Sequence, residues 1–348
     1  MRRVKHTLKA IVAQVLYALG LLQLWQHWTL RHRAVVLMYH RVLNEDERSR
    51  TGSHPGIVVS RETFARQMEV LAERFTVLSV DQFASHLANG QPFPNSSCLI
   101  TFDDGWLDNV DGAVPALRAR QLPALVFLPV NFIGERRLFW REALTHLLLH
   151  AAEQGQHNAA LAASVREQLQ CAGVSAIASG VGRPVRERID EAVSSLAGMR
   201  AAEAERLTES LCQVLQVTVD RLDTPDRFID WSDARALSQL GIDFGGHGAE
   251  HRLLGELPAH EVEAEVVSSK AVIEREIAVP VATFSYPNGS FTPDVVRQVR
   301  AAGYSLAFTT MPGSIGHRDD PFTLRRINIH EDMTASPAMF LARVVGLL

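Results

Sequence analysis

Ser97-Cys98-Leu99-Ile100-Thr101-Phe102-Asp103-Asp104-Gly105 carries an apolar run of strand type straight into two adjacent carboxylates and a glycine turn. Neighbouring like charges repel, so a chain that sets them at a strand end compensates with a cation or by protonating one of them. A metal held by one carboxylate, with the other left as a base, meets that requirement. A solvated Asp-Gly turn meets it equally well on this stretch alone.

Working outward, residues 35–39 (VVLMY) read as a first core strand ending in His40 and Arg41, and residues 123–130 (PALVFLPV) as a continuous apolar strand. Unbroken apolar strands in a strand, helix, strand order predict a parallel sheet covered on both faces. Further strands are expected at 242–245, 281–286, 304–309 and 324–329, with helices at 61–74 (capped by Ser60), 81–88, 112–120, 259–276 and 293–302. That makes about seven strand–helix units, short of the eight of a full barrel. Residues 44–56 read as a loop.

Between these units, about 140–226, the chain turns rich in Ala, Leu, Glu, Arg and Gln. Helical spacing recurs in Leu144, Leu147 and Leu148 and in Leu207, Leu211 and Leu215, around a break at Ser179-Gly180-Val181-Gly182-Arg183-Pro184. This reads as a helical insertion without chemistry of its own.

Composition narrows the function classes. A net charge of −4 over 348 residues gives no reason to expect a nucleic-acid partner. Cys98, Cys171 and Cys212 are odd in number and widely spaced, which excludes a disulfide framework or a thiolate zinc site and suits a reducing compartment. Residues 1–33 are different in kind: Arg2, Arg3, Lys5 and Lys9 precede an apolar run, and Trp25 and Trp28 lie near its end. On one helix, Val4, Leu8, Ile11, Val15, Leu19 and Leu22 share a face, which Gln26 interrupts. A basic amphipathic helix of this kind suits a membrane surface, and the polar breaks argue against a span. The expected place is the cytoplasm or the cytoplasmic face of the inner membrane, held peripherally, with a secreted or periplasmic place left open.

Far from the paired aspartates comes Gly245-Gly246-His247-Gly248-Ala249-Glu250-His251. Histidines four apart share one face of a helical turn and one cation, and a preceding strand brings them to the edge that holds Asp104. Two imidazoles and a carboxylate leave positions for water and substrate, as catalytic zinc and related divalent sites do.

These residues resemble the NodB-type polysaccharide deacetylases, carbohydrate esterase family four. Thr101-Phe102-Asp103-Asp104-Gly105 is similar to the family's first motif, which implies Asp103 as catalytic base and Asp104 as metal ligand. His247 and His251 resemble the metal-binding histidines of the second motif, and Phe284-Ser285-Tyr286-Pro287-Asn288-Gly289 resembles the third. The third motif implies a groove lined by Tyr286, Pro287 and Asn288, with a backbone N–H for the oxyanion. Trp231 and Asp233, and Met38-Tyr39-His40-Arg41-Val42, are similar to features of bacterial exopolysaccharide and cell-envelope members. The resemblance implies a distorted, incomplete (β/α)7 barrel over 34–348, interrupted by the insertion. It also implies a divalent metal, zinc first, with cobalt, nickel and manganese as other occupants.

Three features depart from the family pattern, the first being Asn288 where a tyrosine is usual after the third-motif proline, although a backbone donor needs no particular side chain. The third-motif arginine that holds the base is replaced by Ser285, so Arg41, Arg325 or Arg326 must orient Asp103 instead. The last motif is matched only loosely by Asn328-Ile329-His330-Glu331-Asp332, which makes His330 a general-acid candidate with His40 as its competitor. The implied reaction is metal-dependent removal of acetyl groups from N-acetylated sugars of a cell-envelope polysaccharide, an exopolysaccharide or a lipid-linked precursor. O-deacetylation, deformylation and non-catalytic carbohydrate binding are the alternatives.

Overall fold

The strand that ends in Asp103 is buried along its whole length, and so are its neighbours on either side. The computed structural model describes residues 2–155, 158–174, 183–196, 198–199 and 201–347. The strands are β1 (Ala34–Tyr39), β2 (Arg41–Leu43), β3 (Val58–Ser60), β4 (Thr76–Val77), β5 (Ser97–Phe102), β6 (Ala124–Leu128), β7 (Ile242–Gly246), β8 (Thr283–Ser285), β9 (Leu306–Phe308) and β10 (Ile327–Asn328). The main sheet runs β10-β1-β5-β6-β7-β8-β9, with β4 added beside β5. Every pairing within it is parallel. Helices surround this curled sheet, which explains why its strands read as unbroken apolar runs rather than alternating ones. The fold is the incomplete α/β barrel that the sequence predicted.

Local signals set the helix starts. The Ser60 side chain accepts from the Thr63 amide at the head of helix Arg61–Arg74, and Ser79 with Gln82 closes a capping box on helix Val80–Ala88. Three short strands escaped the sequence reading, and so did the helix Glu45–Arg50, which lies where a loop was expected. Strand β4 is two residues long, and β2 and β3 pair across what read as a plain loop. All three strands are too short to show a period of two.

The expected single N-terminal helix is two, α1 (Arg2–Ala18) and α2 (Leu21–Thr29), because Gly20 at φ 73 ends the first. Leu22 thereby leaves the face of Leu8 and Val15 and is buried. Gln26 does not spoil an apolar face: it is buried and donates to the Arg74 carbonyl at 2.9 Å.

The chain divides into two compact units. One holds the sheet. The other comprises Ser49–His54 and Arg136–Arg227, so a short piece of the 44–56 segment joins the helical insertion. Helices Trp140–Gly155, Ala159–Cys171, Val185–Ser195 and Ala201–Leu215 pack around Leu144, Leu147, Leu169, Val193 and Leu211. The break at 179–182 lies outside the described residues. A buried polar cluster fixes the short piece within this unit. Asp226 accepts from the Thr51 hydroxyl and the Gly52 amide, each at 2.6 Å, and meets His146 Nε2 at 2.7 Å.

Removing the Asp226 carboxylate takes the acceptor from the Thr51 hydroxyl and the Gly52 amide and one of two partners from His146 Nε2. Asp226→Ala is therefore expected to cost about 3 kcal/mol and to expose the helical unit to protease before the sheet unit. Urea unfolding with limited proteolysis measures this, and an unchanged unfolding midpoint would contradict it.

Candidate active site

Side chains on a strand alternate between faces, and the inner face of this sheet can be followed upward from its core. Val36, Leu99, Leu125, Phe127, Phe308 and Leu324 belong to one buried cluster. The same alternation delivers His40, Asp103, His247 and Ser285 to the C-terminal edge of the sheet, while Arg326 enters on the same face one residue ahead of β10. Parallel α/β sheets place functional groups at that edge.

Asp104, His247 and His251 offer one ligand atom each within 4.8 Å of one another. Asp104 Oδ1 lies 3.5 Å from His247 Nε2 and 3.4 Å from His251 Nε2. Each ligand is aimed by a neighbour. His247 Nδ1 donates to the Ser285 carbonyl at 2.7 Å, which leaves the Nε2 lone pair facing Asp104. The Trp106 indole donates to Asp104 Oδ2 at 3.0 Å, which leaves Oδ1. The loop between the histidines is held by Glu265, whose carboxylate accepts from the Ala249 and Glu250 amides at 2.7 and 2.9 Å. Asp104 (φ 76) and His251 (φ 54) both adopt the left-handed backbone region, a conformation that costs energy outside glycine.

Asp103 is held differently. Arg326 grips it bidentately, Nη1 to Oδ1 and Nη2 to Oδ2, both at 2.6 Å. The other guanidinium donors go to the Thr309 carbonyl, the Thr101 hydroxyl and Ser285 Oγ, so all five N–H groups are used. Of the three arginines considered, Arg326 is the one that bonds Asp103. Arg41 pairs with Asp108 at 2.6 Å and lies over the Trp106 ring, and Arg325 is exposed. The arginine absent from the third motif is replaced by the residue just ahead of β10, which also donates to Ser285 Oγ.

The electrostatics follow from this packing. Burial pushes the Asp103 carboxyl up, but Arg326 and His247 overcome it and hold the group below the usual carboxylate range. Asp104 is likewise lowered against its burial, by His247, His251 and His40. Burial pulls His251 down to about 4 and also lowers His40, where Asp104 and Asp103 oppose it. Asp103 and Asp104 raise His247 despite its burial.

Of the two general-acid candidates, His40 can be placed against the paired aspartates. His40 is among the groups that shift Asp103, Asp104 and His251, and its Nδ1 is buried without a hydrogen-bond partner. His330 precedes the short helix Glu331–Thr334, where its carbonyl accepts from the Thr334 hydroxyl. In the third motif the Tyr286 hydroxyl donates to the Phe322 carbonyl and its ring stacks on Phe291, so this side chain is built into the core. Pro287 is buried, and Asn288 turns at φ 52. The Tyr286 and Gly289 amides are taken by the Phe308 and Tyr286 carbonyls. The Asn288 amide has no such acceptor among the described residues.

Trp231 does not support the site. It opens helix Trp231–Gln239, which Asp230 and Asp233 cap, and makes no hydrogen bond or ring contact with the site residues. The indole that supports the centre is Trp106, which stacks on Phe228 at 4.4 Å and carries the Arg41–Asp108 pair above it. Sequence reasoning stopped at Gly105 and missed it, although Trp106 follows directly. Glu265, 18 residues or fewer from either histidine in a helix full of carboxylates, had no distinguishing signal.

The donor set suits a divalent cation. Asp104 Oδ1 is buried with no hydrogen-bond partner, which is costly unless a positive charge meets it. A carboxylate oxygen and two imidazole nitrogens then form an open zinc-type set. His247→Ala is expected to abolish zinc binding. Trp106→Phe, which keeps the ring stack and removes one hydrogen bond, is expected to weaken it about tenfold to hundredfold. Competition with a fluorescent chelator measures both, and unaltered affinity in either variant would contradict the ligand geometry.

The comparisons with known proteins agree with this architecture. A family model described as polysaccharide deacetylase matches residues 200–307, which include His247, His251 and the third motif. YxkH of Bacillus subtilis, whose name assigns it to the polysaccharide deacetylases, is 24% identical over 102 residues; these are 29% of this chain and 37% of that protein. The matched part is thus little more than a third of that relative's length. Among solved structures, the Streptococcus pyogenes deacetylase PplD, in complex with acetate, aligns with a TM-score of 0.56 and 16% identity, covering 90% of this chain and 98% of its own. IcaB from Ammonifex degensii aligns with a TM-score of 0.57 and 18% identity, over 89% and 97% of the two chains. At such identities the likeness speaks for the fold, and residues 200–307 are the part of the chain that the polysaccharide deacetylase model matches.

Proposed function

We propose that this chain is a metal-dependent hydrolase that removes acetyl groups from N-acetylated sugars of a cell-envelope polysaccharide or exopolysaccharide, or of its lipid-linked precursor. One observation carries the reading: a carboxylate kept ionised by a bidentate arginine stands beside, and outside, a buried Asp-His-His donor set. A carbohydrate-binding module has no use for that separation of roles. The same arginine removes the one feature, an unsupported base, that favoured a non-catalytic chain.

Asp104, His247 and His251 would hold the metal, with zinc as the first choice. When bound, such an ion polarises the acyl oxygen and acidifies the attacking water. Asp103 takes the proton from that water, and Arg326 keeps the carboxylate charged and fixes its direction. The Asn288 amide is the backbone donor assigned to the developing oxyanion. His40 gives a proton to the departing sugar nitrogen. Burial makes its imidazolium a stronger acid, and the two aspartates favour its charged form. We assign the acid to His40 because it shares the electrostatic neighbourhood of the pair, with His330 as the alternative.

Acetate release from N-acetylated oligosaccharides, by protein stripped with chelator and reloaded with zinc or cobalt, tests the reaction class. Activity should vanish with the metal and return with it. Release from O-acetylated sugars alone would overturn N-deacetylation. Asp103→Asn should keep the metal and lose at least about a hundredfold in kcat, and His40→Asn should lose far more than His330→Asn. The pH profile checks Arg326. Because the folded pKa of Asp103 is lowered, activity is retained above that value and lost as pH falls through it. Arg326→Gln leaves burial uncompensated, raises the pKa and shifts the acid limb to higher pH; an unmoved limb would refute the assignment.

A further inference from the structure

Helices α1 and α2 carry their apolar stripes on the outside. In α1, Leu8, Ile11, Val12 and Val15 are exposed, spaced for one helical face. In α2, Leu21, Leu24, Trp25 and Trp28 repeat the pattern, with Trp28 74% exposed. Nine of the fifteen exposed large hydrophobic residues of the described chain fall between Leu8 and Trp28, Leu19 being the ninth. This is not a failure to dock, because the opposite faces are satisfied. Ala13 and Leu22 are buried, the Tyr17 ring lies under Arg74, and Gln26 donates to the Arg74 carbonyl. An exposed apolar surface of this extent marks an interaction site.

Charge identifies what covers it. Residues 1–33 hold six Lys and Arg (Arg2, Arg3, Lys5, Lys9, Arg31 and Arg33) and no Asp or Glu, in a chain whose net charge is −4. A second copy would bring the same positive charge against it. Neither helix alone spans a bilayer: α2 has nine residues, about 14 Å of helix, and the pair bends by 86°. An apolar stripe with exposed tryptophans and flanking cations matches the anionic interface of a membrane.

We infer that α1 and α2 form a peripheral docking surface for an anionic phospholipid bilayer, lying in its interface without crossing it. The surface is fastened at the end of the sheet opposite the active site. The Leu30 carbonyl accepts from the Ser96 amide, and the His32 amide donates to Asn95, where β1 and β5 begin. Six-residue strands then separate it from Asp103 by about 20 Å. A docked molecule thus keeps its site clear of the bilayer, suited to a polymer segment some sugars away from a lipid anchor. This last consequence rests on the deacetylase reading; the docking itself does not.

Cosedimentation of the full chain with vesicles tests the docking. Binding to phosphatidylcholine mixed with phosphatidylglycerol should exceed binding to phosphatidylcholine alone by about tenfold or more, and should fall with added salt. Trp25→Ser/Trp28→Ser should weaken it about tenfold with circular dichroism unchanged, and should remove the blue shift of tryptophan emission seen on vesicles. Lys9→Glu should also weaken it. Equal binding of wild type and double variant, no binding to either vesicle, resistance to carbonate extraction, or a dimer that the tryptophan substitutions dissociate would each overturn the proposal. Acetate release from a soluble oligosaccharide should continue at the free rate on vesicles; a rate lost on binding overturns the orientation and leaves the docking.

Discussion

The guanidinium of Arg326 has no solvent exposure, and the site depends on its being neutralised where it stands. Burying an unpaired guanidinium is costly enough that an arginine is tolerated there only with all its donors met. Its five acceptors come from β5, β8 and the end of β9, with Asp103 supplying two. Satisfying one residue therefore fixes β10 against strands on both sides of the curl. The pairing of Leu37 with Ile327 and of Met38 with Asn328 closes the sheet at the register that brings Arg326 under Asp103. The placing of Asp103 and the pairing of β10 with β1 are the same constraint.

The metal-ready set is built on a different principle. Asp104 and His251 sit in backbone conformations that glycine prefers, and both are flanked by glycines that share or permit the turn: Gly105 at φ 67 and Gly248 at φ 77. A Cβ on Gly105 would come 2.6 Å from Leu128, so the turn after the aspartates is tight as well as strained. Such strain persists where the surroundings over-determine it. Here they do: Trp106 fixes one Asp104 oxygen, Ser285 fixes the His247 ring, and Glu265 fixes two amides between the histidines.

How much of this could be read from the chain follows from the range of each interaction. The strands at β1, β5 and β6 were legible because burial on both faces leaves a run of apolar residues. The Asp-Asp turn and the HxxxH pair were legible because each packs its chemistry into a few adjacent residues. Arg326 could be named only as one of three arginines, since its distance from Asp103 is 223 residues in sequence and one hydrogen bond in space. Trp231 was named through a family likeness and Trp106 was not named at all, yet the indole that bonds Asp104 is the one next to the motif. The N-terminal segment was amphipathic on paper, but its break at Gly20 reversed the position of Leu22 and gave Gln26 a partner.

The same distance argument explains why sequence comparison and structure divide the evidence between them. The family match begins at residue 200 and contains both histidines and the third motif, but neither Asp103 nor Asp104. The helical insertion stands between the two halves, adding more than ninety residues to the separation of Asp104 from His247. Inserted length weakens an alignment but costs a folded chain little, because loop-closure entropy grows only with the logarithm of loop length. The sheet cancels the separation altogether: β5 and β7 are both hydrogen-bonded to β6, so Asp104 and His247 lie two strands apart on the same edge. A centre whose halves are distant in sequence and fixed by strand order tolerates an insertion of this size between them, since nothing in its geometry is measured along the chain.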